Sequence, residues 1–186
     1  MGRKRLDHIE RLDARLQSLA GETIEDVLEL GCGDGRVSGY LSQAHGFNVV
    51  AADVDPAQIE WARRQNPIHS RLRFSVEDAT ELSFDDDSFD LIVAQNLFQH
   101  LPRWRKAVGE ISRVLRPGGH MIWFDQATPG AFRRLMARFS PRSGIYTLDE
   151  VAESFAAVRV DETFRERVRQ GCYQLVLRKA AVAGAD

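Results

Sequence analysis

Cysteine is nearly absent from this sequence: of 186 residues, only Cys32 and Cys172 carry a thiol. Two thiols so far apart exclude a disulfide framework and a zinc-ribbon spacing. Long apolar runs are missing as well. No stretch approaches the ~20 residues that cross a bilayer, and the first ten, MGRKRLDHIE, are charged where a secretion signal needs an apolar core. Leu6 stands where an N-myristoylation motif beginning at Gly2 requires Ser or Thr, so a cytoplasmic protein without a membrane anchor is expected. Neither sign of charge dominates, since 25 Lys and Arg face 27 Asp and Glu for a formal −2. With 44% apolar residues and no repeat, low-complexity tract or long linker, the expectation is one globular domain over 1–186. A chain of this size buries roughly 70% of its unfolded surface, enough for a core without staples. Also missing are G-x-S-x-G, a P-loop and H-E-x-x-H, and Ser38 is out of frame for a nucleophile elbow.

What is present is an alternation of apolar runs and helix-length segments. Leu6, Ile9, Leu12, Leu16 and Leu19 recur at three- and four-residue steps and predict an amphipathic helix over 1–21. Strands are expected at 27–30, 49–52, 72–76, 89–94 and 121–124, with helices at 36–44, 56–65 and 103–115 between them. Asp55-Pro56 caps the second of these helices, and Arg116-Pro117-Gly118-Gly119 terminates the third. Parallel strands need a crossover, usually helical and right-handed, so this alternation predicts a parallel sheet covered on both faces. Further helices near 130–139 and 148–155 follow. Strands at 158–164 and 172–177 then form an edge hairpin joined by the charged segment 165–170.

The most informative segment is Val27-Leu28-Glu29-Leu30-Gly31-Cys32-Gly33-Asp34-Gly35-Arg36, a strand running into a glycine-rich turn and then a helix. Glycines there permit a tight turn and let a ligand approach the main chain. The dinucleotide fingerprint G-x-G-x-x-G is broken by Arg36. Glu29 lies where a pyrophosphate would sit close by, and like charges about 4 Å apart cost on the order of 4 kcal/mol at an effective dielectric near 20. A cationic or zwitterionic ligand suits that acid better. Asp53 follows Gly33 by the interval at which an acid accepts hydrogen bonds from ribose hydroxyls, and Asp78 ends the next strand. Three carboxylates at successive strand ends repel one another, which a purely structural turn has little reason to keep.

Taken together these residues resemble the class I S-adenosylmethionine-dependent methyltransferases, in particular the compact group in which E/D-x-G-x-G-x-G opens the site. The resemblance covers about residues 25–124 and includes FDDDSFDLI at 84–92 and LRPGG at 115–119. It implies a Rossmann-like, doubly wound α/β fold: a mostly parallel seven-stranded sheet, helices on both faces and a C-terminal antiparallel hairpin strand. It also implies S-adenosyl-L-methionine as cofactor. Glu29 and the backbone at Gly31, Cys32 and Gly33 would hold its amino-acid end, and Asp53 its ribose. Val54 would pack on the adenine ring, Asp78 and the Ala79 N–H would read the adenine edge, and the main chain at Gln95 would face the methionine portion. Asp55 is read as a helix cap and not a second ribose ligand.

The activity so implied is in-line methyl transfer to a nucleophilic atom of a small-molecule acceptor. His100, after the fourth strand, is the candidate general base, with helix capping as the alternative. His120 falls at the opposite end of the sheet; His8, His45 and His69 form no metal spacing and read as solvated surface, so no metal is expected. Asp125 and Gln126 either line the acceptor pocket or fix a loop. Tyr146 and Arg133-Arg134 fall in a lid or acceptor-recognition region over 126–156. Residues 75–90 hold seven acids and no base, while 102–143 hold nine Arg and Lys against two acids. That basic stretch lacks interleaved aromatic stacking positions, and the N-P-P-Y type of tetrapeptide is replaced by Gln95-Asn96-Leu97-Phe98, so a nucleic-acid partner is disfavoured without being excluded. Two alternatives stand beside the enzyme of small molecules. One is a non-catalytic S-adenosylmethionine-binding sensor or partner; the other is a methyltransferase of RNA or protein. A homodimer or a partner subunit is compatible with either.

Overall fold

The computed structural model describes residues 2–66, 70–130 and 144–181, with side chains from His8 onward. His69, Arg133, Arg134, Pro141 and the helix expected at 130–139, beyond its first residue, lie outside the described residues. In chain order the elements are α1 (Gly2–Ser18), β1 (Asp26–Leu30), α2 (Arg36–Ala44), β2 (Asn48–Asp53), α3 (Pro56–Gln65), β3 (Leu72–Val76), β4 (Phe89–Gln95), a 3₁₀ turn (Phe98–His100), α4 (Trp104–Val114), β5 (Leu115–Gln126), α5 (Leu148–Ala156), β6 (Val160–Arg169) and β7 (Cys172–Lys179).

These strands form one seven-stranded sheet in the order β3-β2-β1-β4-β5-β7-β6. The first five are mutually parallel, and β7 runs antiparallel between β5 and β6. Alternate residues of the central strands feed opposite layers. Val27, Leu91, Val93 and Ile122 pack with Leu12 and Leu16 of α1, Leu41 of α2 and Ile59 of α3. Leu28, Ile92, Ala94 and Trp123 pack with Trp104 and Ile111 of α4 and Phe155 of α5. Burial on both faces explains the unbroken apolar runs in these strands. The order reverses between β1 and β4, because β1 connects outward to β2 on one side and the chain returns to β4 on the other. A crevice therefore opens at the carboxyl ends of these strands.

The boundaries that differ most from those read in the sequence are the start of β5 and the end of β6. β5 starts at Leu115, which pairs with Phe89; the ladder then slips and resumes at Leu91–His120. Gly118, at φ +79°, accommodates the slip. Arg116, expected in a helix stop, instead reaches Asp90 at 2.8 Å and Asp26 at 2.9 Å, while Asp90 accepts from the N–H groups of Glu25 and Asp26. The hairpin connection is also shorter than expected. Residues 165–169 belong to β6, and only Gln170 and Gly171 turn the chain; Gly171 takes φ +73°.

Part of the uneven charge seen in the sequence is paired across the fold. Arg113 pairs with Asp86 at 2.9 Å and Glu110 at 2.8 Å, and Lys106 with Glu81 at 3.6 Å. Helix α5 starts with a capping box in which Thr147 accepts from the Glu150 N–H at 3.2 Å and Glu150 accepts from the Thr147 N–H at 2.9 Å. Thr147→Ala is expected to lower stability by about 1 kcal/mol in urea unfolding; an unchanged midpoint would mean that the box contributes nothing.

Candidate functional site

The turn after β1 is held from both sides. The N–H groups of Gly31 and Cys32 donate to the Ala52 carbonyl at 2.8 and 2.9 Å, and Gly35 closes back on Cys32. Gly31 and Gly33 both adopt positive φ, +73° and +51°. A Cβ on Gly31 would lie 3.1 Å from Leu97 Cδ1, whereas one on Gly33 would meet nothing within 4 Å. Gly31 is thus favoured by its positive φ and by the close approach of Leu97, and Gly33 leaves bare backbone facing open space.

Asp53, at the end of β2, bridges this turn to α3. One carboxylate oxygen accepts the Gly33 N–H at 3.1 Å and the other accepts the Asp55 N–H at 3.1 Å. A carboxylate offers about four lone-pair directions, so half of its capacity remains for a ligand. Asp55 caps α3 by accepting from the Ala57 N–H at 2.9 Å. Asp78 accepts the Thr80 N–H at 2.8 Å, a bond that holds its carboxyl below the usual range.

Two cavities flank the glycine turn. The first, about 500 Å³, brings together Gly31, Asp53, Val54, Asp78, Ala79 and His100. Val54 is 63% exposed there, a large apolar side chain open to the space. The second, about 740 Å³, contains Cys32, Gly33 and Gln95. The cavities meet where consecutive residues part company: Gly31 and Asn96 line one, Cys32 and Gln95 the other. Asn96 turns the chain at that border with φ +54°.

Glu29 lines neither cavity. It is buried beneath the turn, where its carboxylate accepts from the Ser38 hydroxyl of α2. Burial, aided by the charges of Asp34 and Asp53, pushes its pKa up to about 8. The Cys32 thiol is likewise pushed up by burial and by Glu29 and Asp53, which keeps it protonated and unreactive. Asp125 resolves to loop fixing. It is 1% exposed and accepts the N–H groups of Phe98 at 2.6 Å and Gln126 at 2.7 Å, with the Gln99 N–H and the Tyr146 phenol also against it. Burial raises it to about 6. Tyr146 is buried in the aromatic cluster with Phe98, Trp104 and Trp123.

Histidines sort differently from the sequence reading. His100 is exposed on the wall of the smaller cavity. His8 and His45 are not plain surface. His45 stacks on Phe47 and lies 3.1 Å from Asp13, and His8 lines the larger cavity with its ring 4.9 Å from that of Phe124. His120 is buried within β5. Asn96, Leu97, His8 and Trp61 are cavity residues that the motif reading did not single out. Of these, Asn96 alone left a local signal, a residue type tolerant of positive φ at a strand end.

The profile of a family described as "Methyltransferase domain" matches residues 28–123, just over half of the chain. The chain belongs to this family. Among its relatives, a demethylmenaquinone methyltransferase of Clavibacter sepedonicus is 37% identical over 116 residues, covering 62% of this chain and 47% of that protein. The chain spans about half the length of the curated relatives it matches, or less. In fold, it is similar to a candidate sarcosine dimethylglycine methyltransferase from Galdieria sulphuraria (TM-score 0.82, 16% identity, 94% of this chain and 86% of that one). It is also similar to the geranyl diphosphate C-methyltransferase of Streptomyces coelicolor A3(2), solved with S-adenosyl-L-homocysteine (TM-score 0.69, 16% identity, 83% and 69%). S-adenosylmethionine is the cofactor of this methyltransferase family, and the residues present fit it. Asp53 keeps free lone pairs beside Val54, and Gly33 bares its backbone to open space. Among the described residues, no group of acids, His and Cys could hold a metal, and no helix is long and apolar enough to cross a membrane.

Proposed function

We propose that the chain transfers a methyl group from S-adenosylmethionine to a small-molecule acceptor. Asp53 carries this reading: its carboxylate clamps the glycine turn and still has accepting capacity toward the smaller cavity. The bound cofactor supplies an electrophilic methyl carbon on a positively charged sulfur. Asp53 would accept from the ribose hydroxyls, Val54 would cover one adenine face, and Asp78 with the Ala79 N–H would read the adenine edge. The backbone at Gly31, Cys32, Gly33 and Gln95 would hold the amino-acid end at the border of the two cavities. Glu29 touches neither cavity wall and keeps its proton up to about pH 8, so its part is to brace the turn through the Ser38 hydroxyl. Positioning of donor and acceptor at about 3 Å and exclusion of water supply most of such a rate enhancement. The acceptor class is supported by the demethylmenaquinone methyltransferase likeness.

Calorimetric titration with S-adenosylhomocysteine tests the reading: a 1:1 complex is expected. Asp53→Ala should weaken it about 10- to 100-fold, the loss of charged hydrogen bonds worth about 1.5–3 kcal/mol. Unchanged affinity in the variant would remove the ribose assignment.

A further inference from the structure

Donor recognition occupies the 500 Å³ cavity and the border, which leaves most of the 740 Å³ cavity to another molecule. None of the acids assigned to adenosine lies in it. Among the described residues its one carboxylate, Asp34, is 3.7 Å from the Arg36 guanidinium, so these residues offer no unpaired carboxylate or guanidinium. Trp61 forms part of the wall and is 52% exposed, while Trp104 and Trp123 are buried. An indole open on a cavity wall is a platform for a flat ring, and the amides of Gln58 and Gln65 on the same helix offer hydrogen bonds around it. On the same lining, Gln95 of β4 is the register partner of Phe124 on β5, and His8 packs edge-on against Phe124. The His8 imidazole therefore stands beside the border at which the methyl group would be presented. His100 is on the adenosine side of that border.

We propose, on the basis of the methyltransferase reading, that the larger cavity binds an uncharged aromatic acceptor carrying a phenolic hydroxyl, and that His8 receives its proton. An acceptor amine held as a cation would find no unpaired counter-charge among the described residues of the lining. An aliphatic alcohol is too weak an acid for an imidazole to deprotonate, whereas a phenol, near pKa 10, can hand over its proton as the bond to the methyl carbon forms. In the step, a bond forms between the phenolic oxygen and the methyl carbon as the carbon–sulfur bond breaks. Both electrons of that bond stay on sulfur, which becomes a neutral thioether, and the hydroxyl proton passes to the imidazole nitrogen.

The test uses the full chain saturated with S-adenosylhomocysteine, with catechol as probe and benzylamine as the cationic control. Catechol should quench the fluorescence of the exposed indole saturably, Trp61→Phe should abolish that response, and benzylamine should produce none. In single turnover with S-adenosylmethionine, catechol should be methylated, and His8→Gln should slow transfer at least about 100-fold while S-adenosylhomocysteine affinity stays within about twofold. Failure to bind S-adenosylhomocysteine would overturn the methyltransferase reading itself. Binding of S-adenosylhomocysteine with no catechol response, a preference for benzylamine, or no methylation of catechol would overturn the acceptor class alone. Unaltered turnover in His8→Gln would overturn the proton transfer.

Discussion

Folding stability should fall as pH rises from about 5 to about 8, and Glu29→Gln should remove most of that fall. Glu29 keeps its proton up to about pH 8 in the fold, against an ordinary value of 4.5. Above 4.5 the unfolded chain has released a proton that the native state still holds, so each step up in pH favours unfolding until the native carboxyl ionises as well. The stabilisation is complete below about 4.5 and gone above about 8. At 1.36 kcal/mol per pH unit, the gap amounts to on the order of 5 kcal/mol. Asp125 adds a smaller effect of the same sign that ends near pH 6. Asp78, Asp90 and Glu110, held below their ordinary values by hydrogen bonds, act in the opposite sense in the acid range beneath this window, and His120, held below its ordinary 6.5 by burial, opposes the fall up to about pH 6.5. Gln at 29 retains an oxygen for the Ser38 hydroxyl and carries no titrating proton. Urea unfolding at pH 5, 6.5 and 8 on both proteins measures the difference. A wild-type curve that is flat or rises between pH 6.5 and 8 would show that Glu29 is ionised and solvated, contrary to its burial beneath the turn.

Asp125→Ala should cost about 3–5 kcal/mol, seen as a fall in Tm on the order of 10 °C. The carboxylate is the acceptor for the N–H groups of Phe98 and Gln126, and for that of Gln99. Truncation leaves these donors without it in a site that is 1% exposed, at about 1–3 kcal/mol for each one left unsatisfied. Asp125→Asn keeps one acceptor oxygen and should fall between the two. Because the same bonds shape the segment from Asn96 to His100, S-adenosylhomocysteine affinity should drop along with stability. A loss below about 1 kcal/mol would mean that water replaces the carboxylate without strain.

The architecture was legible where local signals agree. Helix α3 begins at the Asp55-Pro56 pair and ends where the sequence said, as does α2 after the glycine turn, because caps and turn residues are short-range features. The start of β5 was not legible. A proline and two glycines read as a break, yet Gly118 at φ +79° absorbs the register slip inside a continuing strand. The segment 165–169 reads as a loop because this edge strand exposes one face, leaving Val160, Phe164 and Val168 as its few apolar positions. In the candidate site, Gly31, Asp53 and Asp78 could be read from their distance to strand ends. The burial of Glu29 could not, since it depends on Ser38 of a different element. His8 and Trp61 reach the cavity from α1 and α3 through long-range packing that leaves no spacing to read.

The placement of β7 between β5 and β6 has a consequence for synthesis. As the polypeptide leaves the ribosome, β6 emerges with no neighbour to pair with, and β5 keeps an open, apolar edge, until residues 172–179 follow and close the gap. The nascent protein therefore passes through a stage with adhesive strand edges, and a translational pause before residue 172 would prolong its exposure to chaperones and to aggregation.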